Sequence, residues 1–443
     1  MIGAFGPAAE DAAGLRPVYG RAPVPYSFRT LSAETALMTV TFADVEAAAR
    51  LLEGAVSPSP MLAAPKLSAL TGADVRVKYE NFHVTNAFKE RGAVSKLSRL
   101  TPGERARGVI AMSAGNHAQA VAYHATRLGI PSTIVMPDTT PHVKVAATRG
   151  FGAEVVLDGE TVAEAQVRAS AIALERGLTF VHPYDDPYVI AGQGSIAMEM
   201  LAADPDLDCL VVPIGGGGLI SGMAIAAKAI KPEIEVIGVE AALYPAMWNA
   251  LRGEELPVGG PTLAEGIAVK NVGVLTREIV ARLVDDIVLV SEAELERAVN
   301  AYLIHQKTLA EGAGAAGLAA LFAQPARFAG RKVGLVLCGG NIDPRILASI
   351  MVRELERDQK ILAFRMTIAD RPGMLGLISG KLGELGANII EVHHQRQFLD
   401  VPAKGATLDV TVETRDHAHA EAILAAFREI GLPCRRLDSG AGG

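Results

Sequence analysis

Short apolar segments alternate with helical patterns from residue 75 to about residue 345, and this alternation restricts the fold more than any other feature. Apolar, β-branched segments without a polar face are typical of strands that are covered on both sides. Strands separated by helices pair in parallel, so the sequence predicts an α/β fold with mainly parallel sheets. The predicted strands are 75–79, 109–112, 132–136, 153–157, 210–212, 235–239 and 332–337.

The pattern changes near residue 360. The order from there is strand, helix, strand, strand, helix, strand, which is typical of a ferredoxin-like module. The predicted elements are 361–368, 373–385, 388–395, 406–414, 416–430 and 434–437. The predicted divisions are a mobile extension (1–37, with Met38 as an alternative start), a large domain (38–350), a charged helix or linker (351–360), the module (361–437) and a tail (438–443).

Composition excludes several classes of protein. A net charge of −7 gives no electrostatic reason to expect nucleic acid or an anionic membrane as partner. Cys209, Cys338 and Cys434 are widely spaced and form no CxxC pair, so we expect neither disulfides nor a zinc site, and a reducing cytoplasm. The N-terminus lacks a signal-peptide pattern. The uncharged stretch 209–227 contains four consecutive glycines, which fits a strand, loop and helix better than a membrane span.

A single lysine, Lys89, lies in the stretch 86–92 between a predicted strand and a predicted helix at 93–97. An amine that is held near apolar groups loses its proton more easily than one in water. Such an amine attacks carbonyls and forms a Schiff base. The alternative is an ordinary solvated lysine at the start of a helix.

Four consecutive glycines in the stretch 214–219 follow a strand and precede a helix. Their backbone N–H groups, together with the helix N-terminus, predict a phosphate site, although a structural tight turn is the alternative. The dinucleotide pattern fails because Ser221 stands where it requires glycine, although Glu240 resembles its ribose-binding acid. No Gly-Lys-Ser/Thr follows, which excludes a P-loop.

Two further turns carry polar side chains. In the stretch 113–119, Ser113 and backbone N–H groups could bind a carboxylate, and Asn116 a ring hydroxyl, with helix capping as the alternative. Cys338 ends a strand, where a neutral thiol could face a ring nitrogen or simply be a small buried residue. An amine, a phosphate site, an anion-binding turn and a neutral partner for a ring nitrogen together describe pyridoxal phosphate.

These motifs, from about residue 42 to residue 343, resemble those of the fold-type II pyridoxal-phosphate enzymes, in particular the threonine dehydratases (threonine ammonia-lyases). The resemblance implies that Lys89 is the Schiff-base lysine and the catalytic base. The residues that it assigns to the cofactor are Phe88, Lys89, Asn116, Gly215, Gly216, Gly217, Gly218, Leu219 and Cys338. It places Ser113, Ala114, Gly115 and His117 around the substrate carboxylate, and Glu265-Gly266 against the cofactor ring.

The chain departs from the family pattern at three places. Asn86-Ala87 replace the usual Gly-Ser before Phe-Lys, which removes a substrate-side hydroxyl. Ala114 replaces the serine of the related racemases, which favours elimination over racemisation. Ala246 replaces their metal-ligating aspartate, so we expect no metal site.

The resemblance implies deamination of L-threonine to 2-oxobutanoate and ammonia, as in isoleucine biosynthesis, with L-serine as a secondary substrate. Alternatives are an ammonia-lyase for serine or 3-hydroxyaspartate, a non-catalytic amino-acid sensor, and a nicotinamide-dependent dehydrogenase.

The C-terminal module resembles an ACT domain in the turns 370–375 and 385–389. The resemblance implies that an amino-acid effector, isoleucine or valine, binds at Gly373, Leu375 and Asn388 between modules of a homo-oligomer (dimer or tetramer). The alternative is a module that only dimerises. His393 and His394 are adjacent in a strand and face opposite sides, so shared metal binding is not expected.

Overall fold

The computed structural model describes residues 39–395 and 405–437. The predicted mobile extension 1–37, the alternative start at Met38 and the tail 438–443 lie outside these ranges. The strands before residue 340 are β1 (Met61–Ala63), β2 (Asp74–Tyr79), β3 (Val109–Met112), β4 (Ser132–Met136), β5 (Glu154–Leu157), β6 (Thr179–Phe180), β7 (Cys209–Pro213), β8 (Glu235–Ala241), β9 (Asp286–Val290) and β10 (Lys332–Leu337).

Helices separate most of these strands. They are α1 (Phe42–Leu52), α2 (Pro65–Thr71), α3 (Lys89–Leu97), α4 (Pro102–Arg107), α5 (Asn116–Arg127), α6 (His142–Gly150), α7 (Val162–Arg176), α8 (Pro187–Ala203), α9 (Gly218–Ile230), α10 (Ala246–Arg252), α11 (Val274–Leu283), α12 (Glu292–Ala301), α13 (Gly312–Ala323), α14 (Pro325–Phe328) and α15 (Pro344–Arg357).

Two open sheets form this part of the chain. The larger has the strand order β1-β2-β10-β7-β8-β9, and all its pairs are parallel except β1 with β2. The smaller has the order β5-β4-β3-β6 and is parallel throughout. Every residue of β4 and β7 is buried, as expected for strands with helices on both faces. The predicted α/β fold is confirmed.

The C-terminal part is a separate antiparallel sheet with two helices. Its elements are β11 (Ile361–Ala369), α16 (Met374–Glu384), β12 (Asn388–Gln395), β13 (Gly405–Glu413), α17 (His417–Glu429) and β14 (Cys434–Arg436). The strand order is β12-β13-β11-β14. Alternate residues of β11 and β13 are buried, and both helices contribute to the same core. This is the ferredoxin-like order that the sequence predicted.

Helix α15 crosses the predicted boundary between residues 350 and 351. Its second half remains attached to the α/β part, because Arg353 and Arg357 each lie 2.5 Å from a carboxylate oxygen of Glu296 in α12. The described chain between helix and module is therefore limited to residues 358–360, and residues 351–357 are helix, not linker. Within the described ranges, no helix has the length and apolar content needed to cross a bilayer.

Candidate active site

Lys89 is the first residue of α3, which begins four residues before the predicted start at 93. The residues before it are paired with the segment after β10: the Phe88 N–H donates to the Cys338 carbonyl (3.0 Å), and Ala87 forms a bridge with Gly339. Asn86 has a φ of 54°, a left-handed conformation that asparagine tolerates better than most residues. Asparagine can therefore occupy position 86, at which the family that the sequence resembles usually has glycine.

The Lys89 side chain is partly buried, and its amine contacts the protein. Its Nζ donates to the carbonyl oxygen of Pro183 (2.7 Å) and lies 5.1 Å from the centre of the Phe88 ring. Burial lowers the pKa of Lys89 to about 8, against the opposing effects of Cys338 and Glu311. An amine with this pKa is partly neutral near physiological pH, as a nucleophile or general base requires.

The glycine run forms the turn between β7 and α9. Gly217 precedes the helix with a φ of 94°, and the Gly216 carbonyl accepts from Thr276 Oγ1 (2.7 Å). Gly216 packs so closely on the Tyr184 ring that an added Cβ would lie below 3.0 Å from it. Tyr184 follows Pro183, the acceptor for Lys89, so a single turn links the amine to the glycine run. The N–H groups of the first turn of α9 have no partner within the helix and suit a phosphate.

Asn116 begins α5 and is held between two side chains. Its Nδ2 donates to Glu311 Oε1 (2.8 Å), and its Oδ1 accepts from Asn341 Nδ2 (2.8 Å). In the turn before it, the Gly115 N–H donates to Ser113 Oγ (3.2 Å). Ser113, Ala114 and Gly115 are all partly buried there, so their polar groups are accessible to a ligand. The carboxylate site remains a prediction.

His117 lies in the same turn, but its side chain is used elsewhere. Its Nε2 lies 2.9 Å from the Val181 carbonyl oxygen, and the residue is buried. Burial first, and then the charge of Lys89, lower the pKa of His117 to about 3. The ring is therefore neutral and donates inward. The backbone N–H of His117, and not its ring, is therefore the group that could bind a substrate carboxylate.

Cys338 is buried at the end of β10, and its Sγ lies 3.6 Å from the Ala313 carbonyl oxygen. Burial and the nearby Glu311 carboxyl raise the pKa of this thiol well above its ordinary value. The group is thus a neutral thiol over the physiological pH range, as the sequence predicted for a partner of a ring nitrogen.

Three residues of the site were missed by the sequence analysis: Glu311, Asn341 and Tyr184. Glu311 precedes α13, and burial raises the pKa of its carboxyl to about 7. Gly266 lies beside it, because a Cβ at Gly266 would be 3.4 Å from Glu311 Oε1. An acid before a Gly-Ala helix is a weak signal, and nothing local in the sequence connects it to Asn116.

Glu240, the residue that resembled a ribose-binding acid, has another role. Its two carboxylate oxygens accept from the N–H groups of Met247 (2.7 Å) and Trp248 (2.8 Å) at the start of α10. The carboxyl is buried, and its pKa is raised to about 7 by that burial. The capping of a helix explains this residue without a nucleotide.

The predicted effector residues do not form one site within a single module. Gly373 (φ 91°) precedes α16, and Leu375 is exposed in its first turn, at the end of the sheet where β11 finishes. Asn388 begins β12 at the opposite end, where its Nδ2 donates to Glu413 Oε2 (3.0 Å). The nine residues of β11 separate the two ends by roughly 25 Å.

Neighbouring contacts connect the predicted cofactor residues into a ring. Lys89 bonds to Pro183, and the next residue, Tyr184, packs on the glycine run. In that run Gly215 packs on Ile267, because a Cβ added to Gly215 would lie 3.1 Å from the Ile267 Cα. Gly266, beside Ile267, packs against Glu311, which also bonds to Asn116 and packs against Gly339. Gly339 pairs with the segment before Lys89, which closes the ring. The ring contains an amine of lowered pKa, backbone donors at a helix N-terminus, an amide and a neutral thiol. These groups fit an aldehyde that also carries a phosphate, a phenolic oxygen and a ring nitrogen.

Comparisons with known proteins agree with this chemistry. The sequence profile of the family described as pyridoxal-phosphate dependent enzyme matches residues 52–339. The L-threonine ammonia-lyase of Thermotoga maritima is 43% identical over 87% of this chain and 96% of its own. Among solved structures, processed threonine deaminase isoform 2 from Solanum lycopersicum is 34% identical (TM-score 0.67; 70% of this chain, 86% of that chain). Maize serine racemase is 31% identical (TM-score 0.67; 72% of this chain, 99% of that chain). The chain therefore belongs to the family of pyridoxal-phosphate dependent enzymes.

Proposed function

We propose that this enzyme deaminates L-threonine to 2-oxobutanoate and ammonia, with L-serine as a secondary substrate. The observation that carries the proposal is the position of Lys89, which is partly buried between the Cys338 segment and the turn that leads to the glycine run. The name of the Thermotoga maritima relative, and a match to it over most of both chains, support threonine as the substrate.

Each residue of the site would have a separate role in the reaction. When bound, pyridoxal phosphate supplies an electron sink for negative charge at the substrate α-carbon. The N–H groups of the glycine run hold its phosphate, and Lys89 holds its aldehyde until substrate arrives. The neutral Lys89 amine then takes the α-proton as general base. Cys338 stays a neutral thiol beside the ring nitrogen and brings no negative charge to hold a proton there.

The absence of a hydroxyl at Ala114 favours elimination over racemisation. Racemisation needs one group to remove the α-proton and a second, on the opposite face, to return it. Lys89 is the amine on one face, and the side chain of Ala114 has no proton to give. The 3-hydroxyl of the substrate then leaves instead. We infer that the enzyme is an ammonia-lyase, although maize serine racemase has a similar fold.

Incubation of the purified holoenzyme with L-threonine, L-serine and 3-hydroxyaspartate in parallel tests this proposal. We expect 2-oxobutanoate and ammonia from threonine in equal amounts, a lower kcat/KM for serine, and no D-serine by chiral chromatography. A preference for serine or 3-hydroxyaspartate would reassign the substrate. A protein that stays colourless with pyridoxal phosphate and forms no oxoacid would be a non-catalytic relative, and an NAD titration would test the dehydrogenase alternative.

We further propose that the C-terminal module is an ACT domain that regulates an oligomer. The match to the Thermotoga maritima enzyme covers 87% of this chain, so it cannot end before the module begins at residue 361. Gly373 and Asn388 lie at opposite ends of one module, so a shared ligand requires the modules of two copies. An amino acid such as isoleucine or valine would bind there and change the equilibrium between two states of the oligomer.

Deletion of residues 360–443 should leave an active enzyme that no longer responds to the effector. The deletion retains α15, whose Arg353 and Arg357 are paired with Glu296. Maize serine racemase is covered over 99% of its length by 72% of this chain, so a relative exists without the remainder. The measurement is threonine turnover with and without isoleucine or valine, in both proteins. Effector sensitivity that survives the deletion would place the effector site in the α/β part.

A further inference from the structure

We propose that Glu311 is a positioning residue, which together with Asn341 fixes the side-chain amide of Asn116 with one N–H directed at the ring oxygen of the cofactor. The inference rests on the proposed function, in which Asn116 binds that oxygen. It concerns the direction in which the amide points, because an asparagine that presented its oxygen would repel an ionised ring hydroxyl.

The orientation of the Asn341 side chain is fixed by a backbone carbonyl, a group that can only accept a hydrogen bond. Asn341 Nδ2 donates to the Thr85 carbonyl oxygen (2.9 Å), and a backbone carbonyl cannot donate in return. The amide of Asn341 is therefore fixed, and its remaining Nδ2 proton goes to Asn116 Oδ1 (2.8 Å). Its own Oδ1 accepts from Asn86 Nδ2 (3.2 Å), which satisfies the other side of the amide.

Glu311 completes the orientation from the other side. An ionised carboxylate only accepts, and its Oε1 receives a proton from Asn116 Nδ2 (2.8 Å). Asn116 thus has one N–H bonded to Glu311, its oxygen bonded to Asn341, and a second N–H left over. The acceptor on one side and the donor on the other both require the same orientation of the Asn116 amide.

The glycine at position 339 leaves the space that the Glu311 carboxylate occupies. The Glu311 N–H donates to the Gly339 carbonyl (3.1 Å), which ties the residue to the segment that pairs with the approach to Lys89. A Cβ at Gly339 would come below 3.0 Å from Glu311 Oε1 and would also lie 3.1 Å from Asn116 Nδ2. The glycine at position 339 is thus needed where the Glu311 carboxylate meets the Asn116 amide.

The charge state of Glu311 decides whether the orientation is enforced. The titratable groups around it are Lys89, Cys338, Lys144 and Glu265. Burial raises the pKa of Glu311 to about 7; the hydrogen bond from Asn116 and the charge of Lys144 oppose this rise, and Glu265 adds to it. Above pH 7 the carboxylate only accepts, so the amide orientation is unique. Below pH 7 the protonated carboxyl can also donate and no longer requires an N–H from Asn116, so Asn341 alone holds the amide and the donor to the ring oxygen is lost in part of the molecules.

The test is the absorbance of the holoenzyme between pH 6 and pH 8.5, with Glu311→Gln, Glu311→Ala and the control Glu240→Gln. A donor to the ring oxygen favours the visible-absorbing form of the bound cofactor over the near-ultraviolet form. We expect the visible band of the unmodified enzyme to weaken as the pH falls through about 7. In Glu311→Gln the band should persist without this transition, since the glutamine oxygen still accepts and does not titrate. Glu240→Gln removes another buried glutamate with a pKa of about 7 and should keep the transition.

In Glu311→Ala the Asn116 amide keeps its bond from Asn341 but loses the acceptor on its other side, so it is held less firmly. We expect the near-ultraviolet form to increase at every pH, without the transition near pH 7, and the dissociation constant for pyridoxal phosphate to rise about tenfold, as for the loss of one hydrogen bond to a charged group. Circular dichroism and thermal melting show whether each variant is folded. Should the alanine variant not fold, Glu311→Gln still decides the question through its pH dependence.

Two outcomes separate failure of this inference from failure of the proposed function. If the unmodified enzyme is yellow and deaminates threonine, but both Glu311 variants keep its spectrum and pH dependence, Glu311 does not orient Asn116. If the unmodified protein binds no pyridoxal phosphate, the proposed function itself is wrong. A transition that disappears in Glu240→Gln and remains in Glu311→Gln would assign the titration to Glu240 and overturn the inference.

Discussion

Replacement of Lys89 by alanine should lower threonine turnover by about 10³-fold or more and remove the yellow colour of the holoenzyme. The residue supplies both the covalent link to the cofactor aldehyde and the base for the α-proton, and the structure has no second amine at that place: among the described residues, Lys144, the other lysine close enough to influence Glu311, is paired with Glu265. The measurements are steady-state production of 2-oxobutanoate and the absorbance of the dialysed protein.

Two variants serve as controls for this prediction. Lys89→Arg keeps the positive charge but cannot form a Schiff base, so it should be as inactive as the alanine variant. Lys66→Ala removes an exposed lysine of α2 and should leave turnover and colour unchanged. Turnover within tenfold of the unmodified enzyme in Lys89→Ala would remove Lys89 from the mechanism.

The lowered pKa of Lys89 adds a pH dependence to the same assignment. Burial favours the neutral amine, so the pKa falls from its ordinary value to about 8, and the neutral fraction grows as the pH rises through 8. The rate at which cofactor-free enzyme regains its yellow colour with added pyridoxal phosphate should therefore increase between pH 7 and pH 9 and then level off. A solvated lysine would give a rate that still rises beyond pH 10.

The parts of the site that the sequence predicts are those carried by local patterns. Lys89, the glycine run and Cys338 each follow a strand, and such turns at the carboxyl ends of parallel strands meet in space. The contacts of Asn116 with Glu311 and Asn341 span 195 and 225 residues, and no local pattern encodes them. The ring of His117 faces inward because of the rotation of α5, which the sequence alone does not fix.

The fold shows the same division between local and long-range information. The strands at 332–337 and 388–395 agree with prediction because alternation or an unbroken apolar run is a local signal. Helix α13, Gly312–Ala323, is apolar on all sides and almost wholly buried, so it has no amphipathic pattern by which to recognise it. The charges of residues 351–360 are compatible with a helix or a linker, and the choice between them depends on the pairing of Arg353 and Arg357 with Glu296 in a helix distant in sequence.

The second large effect is expected from Gly216→Ala, which should weaken pyridoxal phosphate binding by about 10²-fold. The new Cβ would lie below 3.0 Å from atoms of the Tyr184 ring. Tyr184 cannot turn aside easily, because its hydroxyl donates to the Asn271 carbonyl (3.0 Å) and its N–H donates to His182 Nδ1 (3.3 Å). The glycine turn must then move, and overpacking of this kind costs about 1–3 kcal/mol.

A shift of the turn acts on the cofactor because the phosphate donors are backbone groups. Side-chain donors can adjust by rotation, whereas N–H groups at a helix N-terminus move only with the chain. The dissociation constant is measured by titration of cofactor-free protein, with Gly150→Ala as the matched control. Gly150 ends α6 and has no atom within 4 Å of an added Cβ, so this variant should bind pyridoxal phosphate as the unmodified enzyme does.

A double-mutant cycle distinguishes the collision from a general loss of stability. If contact with the ring is the cause, Tyr184→Ala should restore much of the affinity that Gly216→Ala removes, and the two changes will not be additive. Additive losses would mean that Gly216 is required for another reason. Unchanged affinity and unchanged thermal stability in Gly216→Ala would show that the turn tolerates a side chain there, and the phosphate would then have to bind elsewhere than on these four glycines.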